Sequence, residues 1–341
     1  MIKNILSKKI PVFAGFFALY FFSSYNAQGQ DMHFTQFYAS KNYLNPAFVG
    51  IHGCTRVAST YRDQWPSIPG RFVSATFALD HNLQMYNSSV GLLLTNDVAG
   101  SSRLRSTGVN LQYAYELPIN DEVRIRAGFQ GGLNTRSIDY TSLLFGDQIV
   151  NGTTNSSYNM PAVAYADFAA GGVIYSELFW AGFSAHHITR PNESLLRETS
   201  EVPIKYSVHG GGRIPLNGTG GSRKSSTQLI YPAFNYKSQG KFDQLDLGFY
   251  YEHTGIVIGT WYRGIPLLKA YRPGYMNNDA IALIVGYAVD NFNIGYSYDF
   301  TISKLAFASG GAHEISCNYT FCAMKTQKKK RRRINVPCPS F

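Results

Sequence analysis

The sequence predicts an all-β fold: a transmembrane antiparallel β-barrel of about fourteen strands, of the outer-membrane type. Three observations predict it. Polarity alternates with period two from residue 55 onward, the apolar face of that alternation is rich in aromatics while the other carries Gly, Ser, Asn and charges, and the connections between strands sort into short and long by parity. Composition agrees. Of 341 residues, 15% are aromatic and only 15% charged, against about 25% charged in ordinary globular chains. The apolar content excludes disorder. The longest apolar run, Ile10 to Phe22, is broken by Pro11 and falls short of the ~20 residues of a membrane helix, which excludes a helical bundle in lipid.

The first element is a leader. Lys3, Lys8 and Lys9 precede that apolar run, and Ser-Ser-Tyr-Asn-Ala-Gln follows it, the charged, apolar and polar order of a secretory signal peptide. Residues 1–27 are therefore expected to be removed, with cleavage after Ala27 or at Ala27-Gln28-Gly29. Residues 28–54 are expected to form a periplasmic N-terminal segment, residues 55–322 the barrel, and residues 323–341 a basic periplasmic tail.

Strands are expected near 55–61, 71–80, 89–95, 104–117, 122–134, 162–175, 179–187, 205–214, 227–237, 242–251, 255–262, 280–289, 292–300 and 312–322. Val109, Leu111, Tyr113, Tyr115 and Leu117 alternate with Gly108, Asn110, Gln112, Ala114 and Glu116, and Val123, Ile125, Ala127 and Phe129 alternate with Arg124, Arg126, Gly128 and Gln130. A turn over Pro118–Glu122 would set Leu117 against Val123, Tyr115 against Ile125 and Glu116 against Arg124. Asp290-Asn291, between Val289 and Phe292, predicts a two-residue hairpin. Soluble sandwiches alternate too; strands of about 9–11 residues with aromatics on the apolar face favour a membrane barrel.

Connections 118–121, 176–178, 252–254 and 290–291 are short and each follows an even-numbered strand. Connections 62–70, 135–161, 188–204 and 263–279 are long and each follows an odd-numbered strand. Outer-membrane barrels keep short turns on the periplasmic side, so this parity places both barrel termini there. The exceptions are 215–226 and 238–241.

The formal charge of +10 is confined to the ends. Three of the 31 cations lie in the leader and seven, Lys325, Lys328, Lys329, Lys330, Arg331, Arg332 and Arg333, lie in the tail, which leaves 21 against 21 acids in between. With an export signal present, an anionic surface or partner protein is expected rather than nucleic acid. Four cysteines, at 54, 317, 322 and 338, show no metal-ligand spacing. Free thiols are the expectation at Cys54 and Cys317, although the periplasm permits a bridge.

Enzyme signatures fail. Gly182-Phe183-Ser184-Ala185-His186 lacks the second Gly of a nucleophile elbow and lies in a strand, and Gly218 to Ser225 carries Arg223 where a phosphate loop needs Gly before Lys. Neighbouring His186-His187 and His313-Glu314 point to opposite strand faces, so no metal site is assigned, and no cofactor or small-molecule substrate is expected. Alternation places Asn110, Glu116, Arg124, Arg126, Gln130, His209, Arg213, Asn293, Asp299 and Asn318 in the lumen, as a hydrated, internally paired wall or a groove for a peptide segment. Fourteen strands leave interior space to occupy.

Asp31-Met32-His33-Phe34-Thr35-Gln36-Phe37-Tyr38-Ala39, then Tyr43-Leu44-Asn45-Pro46-Ala47-Phe48-Val49-Gly50 and Tyr61-Arg62-Asp63-Gln64-Trp65, stand in an order that resembles the PorP/SprF family of Bacteroidota outer-membrane proteins. Gly259-Thr260-Trp261-Tyr262-Arg263-Gly264, Gly295 to Asp299, Gly311 to Ser316 and the terminal Cys338-Pro339-Ser340-Phe341 continue the resemblance over essentially the whole chain. It implies a non-enzymatic barrel of the type IX secretion and gliding system, with periplasmic or outer-membrane machinery proteins or a large secreted adhesin as partner, besides membrane lipid. A passive porin is the alternative. Partner docking by Leu44, Asn45 and Pro46 competes with a strand-entry turn, and the tail (Lys328, Lys329, Lys330, Arg331, Arg332, Arg333, Cys338, Pro339 and Phe341) is a second docking candidate. Trp261, Tyr262 and Arg263 are expected in an interfacial girdle in preference to a binding site.

Overall fold

A computed structural model of the chain describes residues 31–140, 143, 146–152, 161–196, 198–216, 228–265, 270–272, 275–303, 309–322 and 336–337. The chain divides into Met1–Asp31, of which only Asp31 is described, and a body from Met32 onward.

Fourteen long strands form the wall among the described residues: β1 (Thr55–Gln64), β2 (Phe72–Leu83), β3 (Ser88–Ala99), β4 (Leu104–Pro118), β5 (Arg124–Ser137), β6 (Val163–Tyr175), β7 (Phe179–His186), β8 (Lys205–Gly212), β9 (Gln228–Gln239), β10 (Phe242–His253), β11 (Ile256–Gly264), β12 (Asn278–Val289), β13 (Phe292–Thr301) and β14 (Ala312–Phe321). Each pairs antiparallel with its sequence neighbour, and β14 returns to β1 along their full length, from Thr55 opposite Phe321 to Gln64 opposite Ala312. The sheet is closed. A closed barrel leaves no unpaired edge, the condition for strands to cross hydrocarbon.

Side-chain alternation explains which way each strand faces. In β12 the inward residues Ala280, Ala282 and Ile284 are at most 4% exposed, whereas the outward Ile281, Leu283, Val285 and Tyr287 are at least 40% exposed. The exterior is thus the apolar side, with Val109, Leu111, Tyr113 and Leu117 of β4 among its exposed residues. In water this arrangement would be inverted; in lipid it removes no polar group from a partner.

Connections after even-numbered strands, such as Thr254 and Gly255 between β10 and β11, lie at one end of the barrel, here the short-turn end. Those after odd-numbered strands, including the described residues of 138–162 and 187–204, lie at the long-loop end. The Asp290-Asn291 hairpin pairs Val289 with Phe292, as the sequence predicts, and Asp290 takes the left-handed conformation (φ 48°) such turns require. The β4–β5 register differs from expectation by two residues. Leu117 faces Ile125 and Glu116 faces Arg126, because the loop is 119–123: Asn120 Oδ1 accepts the amides of Glu122 and Val123 and so fixes it one residue later than Pro118–Glu122. A two-residue shift keeps every side chain on its expected face.

Candidate functional site

Residues 34–51 occupy the barrel lumen instead of forming a periplasmic segment beside it. Phe34, Phe37, Tyr38, Ala47, Phe48 and Val49 are at most 4% exposed. The run is too apolar to stand in water, and a wall facing inward with small residues leaves room for it. A single helical turn, α1 (Lys41–Leu44), leads to Asn45, whose Oδ1 accepts the Ala47 amide and starts a 3-10 turn at Pro46–Phe48. Pro46 suits that position because its missing N–H needs no partner there.

Two wall glycines make the seat. A Cβ on Gly128 of β5 would stand 2.2 Å from the Ala47 nitrogen, and one on Gly171 of β6 would stand 2.2 Å from Asn45 Oδ1. Asn45 Nδ2 donates to the carbonyls of Gly172 and Phe183, and Arg126 Nε donates to the Ala47 carbonyl at 2.9 Å while its Nη2 donates to that of Val49. The segment's backbone polar groups are therefore met by the wall.

Towards the short-turn end the contacts are aromatic. Tyr38 meets Trp180, Tyr250 and Trp261 at ring-centroid distances of 5.5–6.1 Å, Phe37 meets Trp261 at 4.9 Å and Phe48 meets Trp180 at 5.5 Å. Edge-to-face pairs of this kind add about 0.5–1.5 kcal/mol each beyond area burial. Val336, from the chain's C-terminal stretch, packs on the same cluster, and Pro337 is buried.

Towards the long-loop end the contacts are ionic. Glu314 of β14 accepts the backbone amides of Thr35 at 2.7 Å and Gln36 at 2.8 Å. Thr35 Oγ1 donates to Asp299 (2.7 Å) and accepts from Arg62 (2.9 Å) and Arg263 (2.7 Å). Gln36 Nε2 donates to Ser297 Oγ and the Glu314 carbonyl, and its Oε1 accepts from Ser316 Oγ. Arg62 bridges Asp299 and Glu314 at 2.8 and 3.1 Å, and Arg263 bridges Asp299 and Asp246 at 2.9 and 3.0 Å. Buried charges are costly to desolvate, so a cluster of this kind persists because its donors and acceptors are paired. His33 lies beside it, outside the spanning strands, and hydrogen-bonds through Nδ1 with Lys237. Burial, then the cations Arg263, Lys237, Arg62 and Lys205, hold its imidazole well below the usual pKa.

Asn110, Arg126, Gln130, His209, Asp299 and Asn318 are buried, and Glu116, Arg124, Arg213 and Asn293 are half-buried. Glu116 receives Arg124 (2.6 Å), Arg126 (2.9 Å) and the Tyr175 hydroxyl (2.7 Å). Asp299 enters the Thr35 cluster. Leu44, Asn45 and Pro46 are buried in the lumen, with Asn45 0% exposed, so they hold the wall and present no surface to a partner. Trp261 and Arg263 also depart from expectation: β11 alternation turns both inward, at 2% and 4% exposure, leaving Tyr262 on the outer face. Lys328, Lys329, Lys330, Arg331, Arg332, Arg333, Cys338, Pro339 and Phe341 lie outside the described residues, as does Gly218–Ser226.

Sequence reasoning missed Thr35, Gln36, Arg62 and Glu314 as site residues and preferred a girdle to a binding site for Arg263. A signal was present, since Arg62, Arg263 and Glu314 are charged residues on the non-lipid face of their strands. The cysteines also pair differently from expectation. Cys54 is bonded to Cys322, with Cα atoms 5.0 Å apart, and Cys317 is free. Closure sets Thr55 against Phe321, which brings the residues just outside that pair, 54 and 322, together at the seam.

A family model described as type IX secretion system membrane protein PorP/SprF matches residues 26–319. Among solved structures the chain is similar to the Ralstonia pickettii toluene transporter TbuX (10% identity, 83% of this chain and 94% of that one, TM-score 0.48) and to the CymD monoaromatic hydrocarbon channel (10%, 83% and 93%, 0.47). A Pseudomonas aeruginosa FadL homologue is also similar (12%, 83% and 94%, 0.44). No curated protein matches the sequence.

Proposed function

Because the chain belongs to the PorP/SprF family of type IX secretion system membrane proteins, we propose that it serves that system as a non-enzymatic, partner-binding component. Its place is the outer membrane, as a closed barrel with an apolar belt requires. The partner is either periplasmic machinery or an exported surface adhesin.

One observation carries the reading: residues 34–51 fill the lumen and are held there by aromatic contacts at one end and by paired charges at the other. An occupant bonded at both ends opposes the open, water-filled channel that a passive porin needs. Function then rests on the rims, and the cations of the tail, Lys328 to Arg333, with Cys338, Pro339 and Phe341, supply an element that an acidic partner surface would attract.

The test has two arms. Purified protein in planar bilayers should be electrically silent, and deletion of residues 324–341 should leave assembly intact yet abolish secretion or adhesin display. A large steady conductance would assign a passive porin instead. An assembled truncation with normal secretion would remove the tail from the mechanism.

A further inference from the structure

We propose that the long-loop end of the lumen is a peptide-binding site whose resident ligand, the chain's own Thr35-Gln36, exchanges with a peptide that carries a hydroxyl residue followed by a carboxamide residue and bends there. This deepens the partner-binding reading and rests on it.

The site is built on the wall and the ligand is not. Arg62, Arg263, Ser297, Asp299, Glu314 and Ser316 project from β1, β11, β13 and β14. Besides groups of the wall itself, what they bind belongs to two consecutive residues, Thr35 and Gln36, at a bend of the chain. Glu314 reads the main chain, since it accepts two successive amides, which a chain offers to one carboxylate where it bends, as it does at Thr35. The side chains are read separately. At the first position one acceptor and two guanidinium donors converge on a hydroxyl, which both gives and takes. At the second, two seryl hydroxyls and a carbonyl converge on a carboxamide, which also gives and takes. An apolar or charged residue at either place would leave a buried partner unmatched, which is the physical basis of discrimination.

The chemistry of the two lumen ends argues for exchange here and not elsewhere. Leaving the aromatic end would expose Tyr38, Phe37 and Phe48 together with Trp180, Tyr250 and Trp261 to water. Leaving the ionic end would let water reach Arg62, Arg263, Asp299 and Glu314, which are as well solvated by water as by the ligand. The segment is thus anchored at one end by groups that exclude water and held at the other by groups that accept it. As a tethered ligand it competes at an effective concentration of about millimolar, so a free peptide binds weakly until the self-ligand is weakened.

The probe is a fluorescent synthetic peptide with the sequence of residues 32–36, titrated onto the full-length barrel in detergent. Thr35→Val with Gln36→Leu in the chain should tighten peptide binding on the order of tenfold or more. The tightened binding should vanish when Glu314→Ala is added or when the peptide itself carries Val and Leu at the two positions. In the unaltered chain, millimolar peptide should raise hydrogen exchange at residues 33–36 and leave residues 37, 38 and 47–49 protected. Unchanged exchange at 33–36, or binding that ignores Glu314 and the two peptide side chains, overturns the proposal. Bilayer silence is measured without peptide, so a conducting barrel would refute the partner-binding reading separately from this site.

Discussion

Glu314 accepts hydrogen bonds from the backbone amides of Thr35 and Gln36, 2.7 and 2.8 Å away, across 279 and 278 residues of sequence. One carboxylate of the closing strand therefore fastens the start of the chain inside the barrel that the rest of the chain builds. Glu314→Ala removes that acceptor and leaves Arg62 with a single buried acid. Losing one partner of a buried charge pair costs about 3–5 kcal/mol. Residues 33–38 should become open to proteolysis while the β1–β14 pairing, made by backbone, survives; a digestion pattern equal to that of the unaltered chain would show that Glu314 is not the fastening.

Gly128 gives a steric test of the seat. Gly128→Val places a side chain where the Ala47 nitrogen stands, 2.2 Å from the first added carbon. The strand remains compatible with valine, so the barrel should assemble with residues 45–48 displaced. A conductance should then appear in planar bilayers where the unaltered protein is silent. A silent Gly128→Val barrel would mean that the lumen is closed by something other than this segment.

The Cys54–Cys322 bond ties the two residues that flank the β1–β14 seam. Peptide mapping after alkylation without reductant should show Cys54 and Cys322 unmodified and Cys317 alkylated. Cys54→Ser should lower stability by about 2–4 kcal/mol without opening the seam, which keeps ten facing residue pairs. Heat-modified gel migration reads this as a lower unfolding temperature, and an unchanged one would exclude a stabilising role.

His33 provides the pH dependence. Its imidazole is held well below the ordinary value when seated, mainly by burial and then by the neighbouring cations. Proton uptake therefore favours the unseated state. The contribution is complete above about pH 6.5 and is lost as pH falls from there towards the lowered value. Protease sensitivity of residues 33–38 should rise over that interval and stay flat in His33→Gln.

The lipid face yields a fifth contrast. Tyr296→Arg and Val285→Arg, both outward, should cost about 2–4 kcal/mol near the bilayer midplane. An empty lumen would tolerate arginine at Ser297 and Asn293 alike. Ser297 instead holds Gln36 and is 0% exposed, so Ser297→Arg should unseat the segment while the half-buried Asn293 accepts the change. Equal tolerance at the two inner sites would contradict an occupied lumen.

The sequence by itself determined the wall. Strand number, the face of each side chain and the sorting of short and long connections all follow from period-two alternation, because in a strand the neighbour two residues away fixes which side meets lipid. Even the β4–β5 slip preserved those faces. What only the tertiary structure decided is the interior. Leu44, Asn45 and Pro46 carry no strand or long-helix signal, and their burial depends on glycines of β5 and β6, more than 80 residues ahead, that leave space for them. Cys54 meets Cys322 only because closure brings the first and last strands together. Arg62, Arg263, Asp299 and Glu314 are ordinary lumenal charges in the sequence. They become a site because four strands and the chain's own start converge on one point, and no local pattern encodes a convergence of residues up to 279 positions apart.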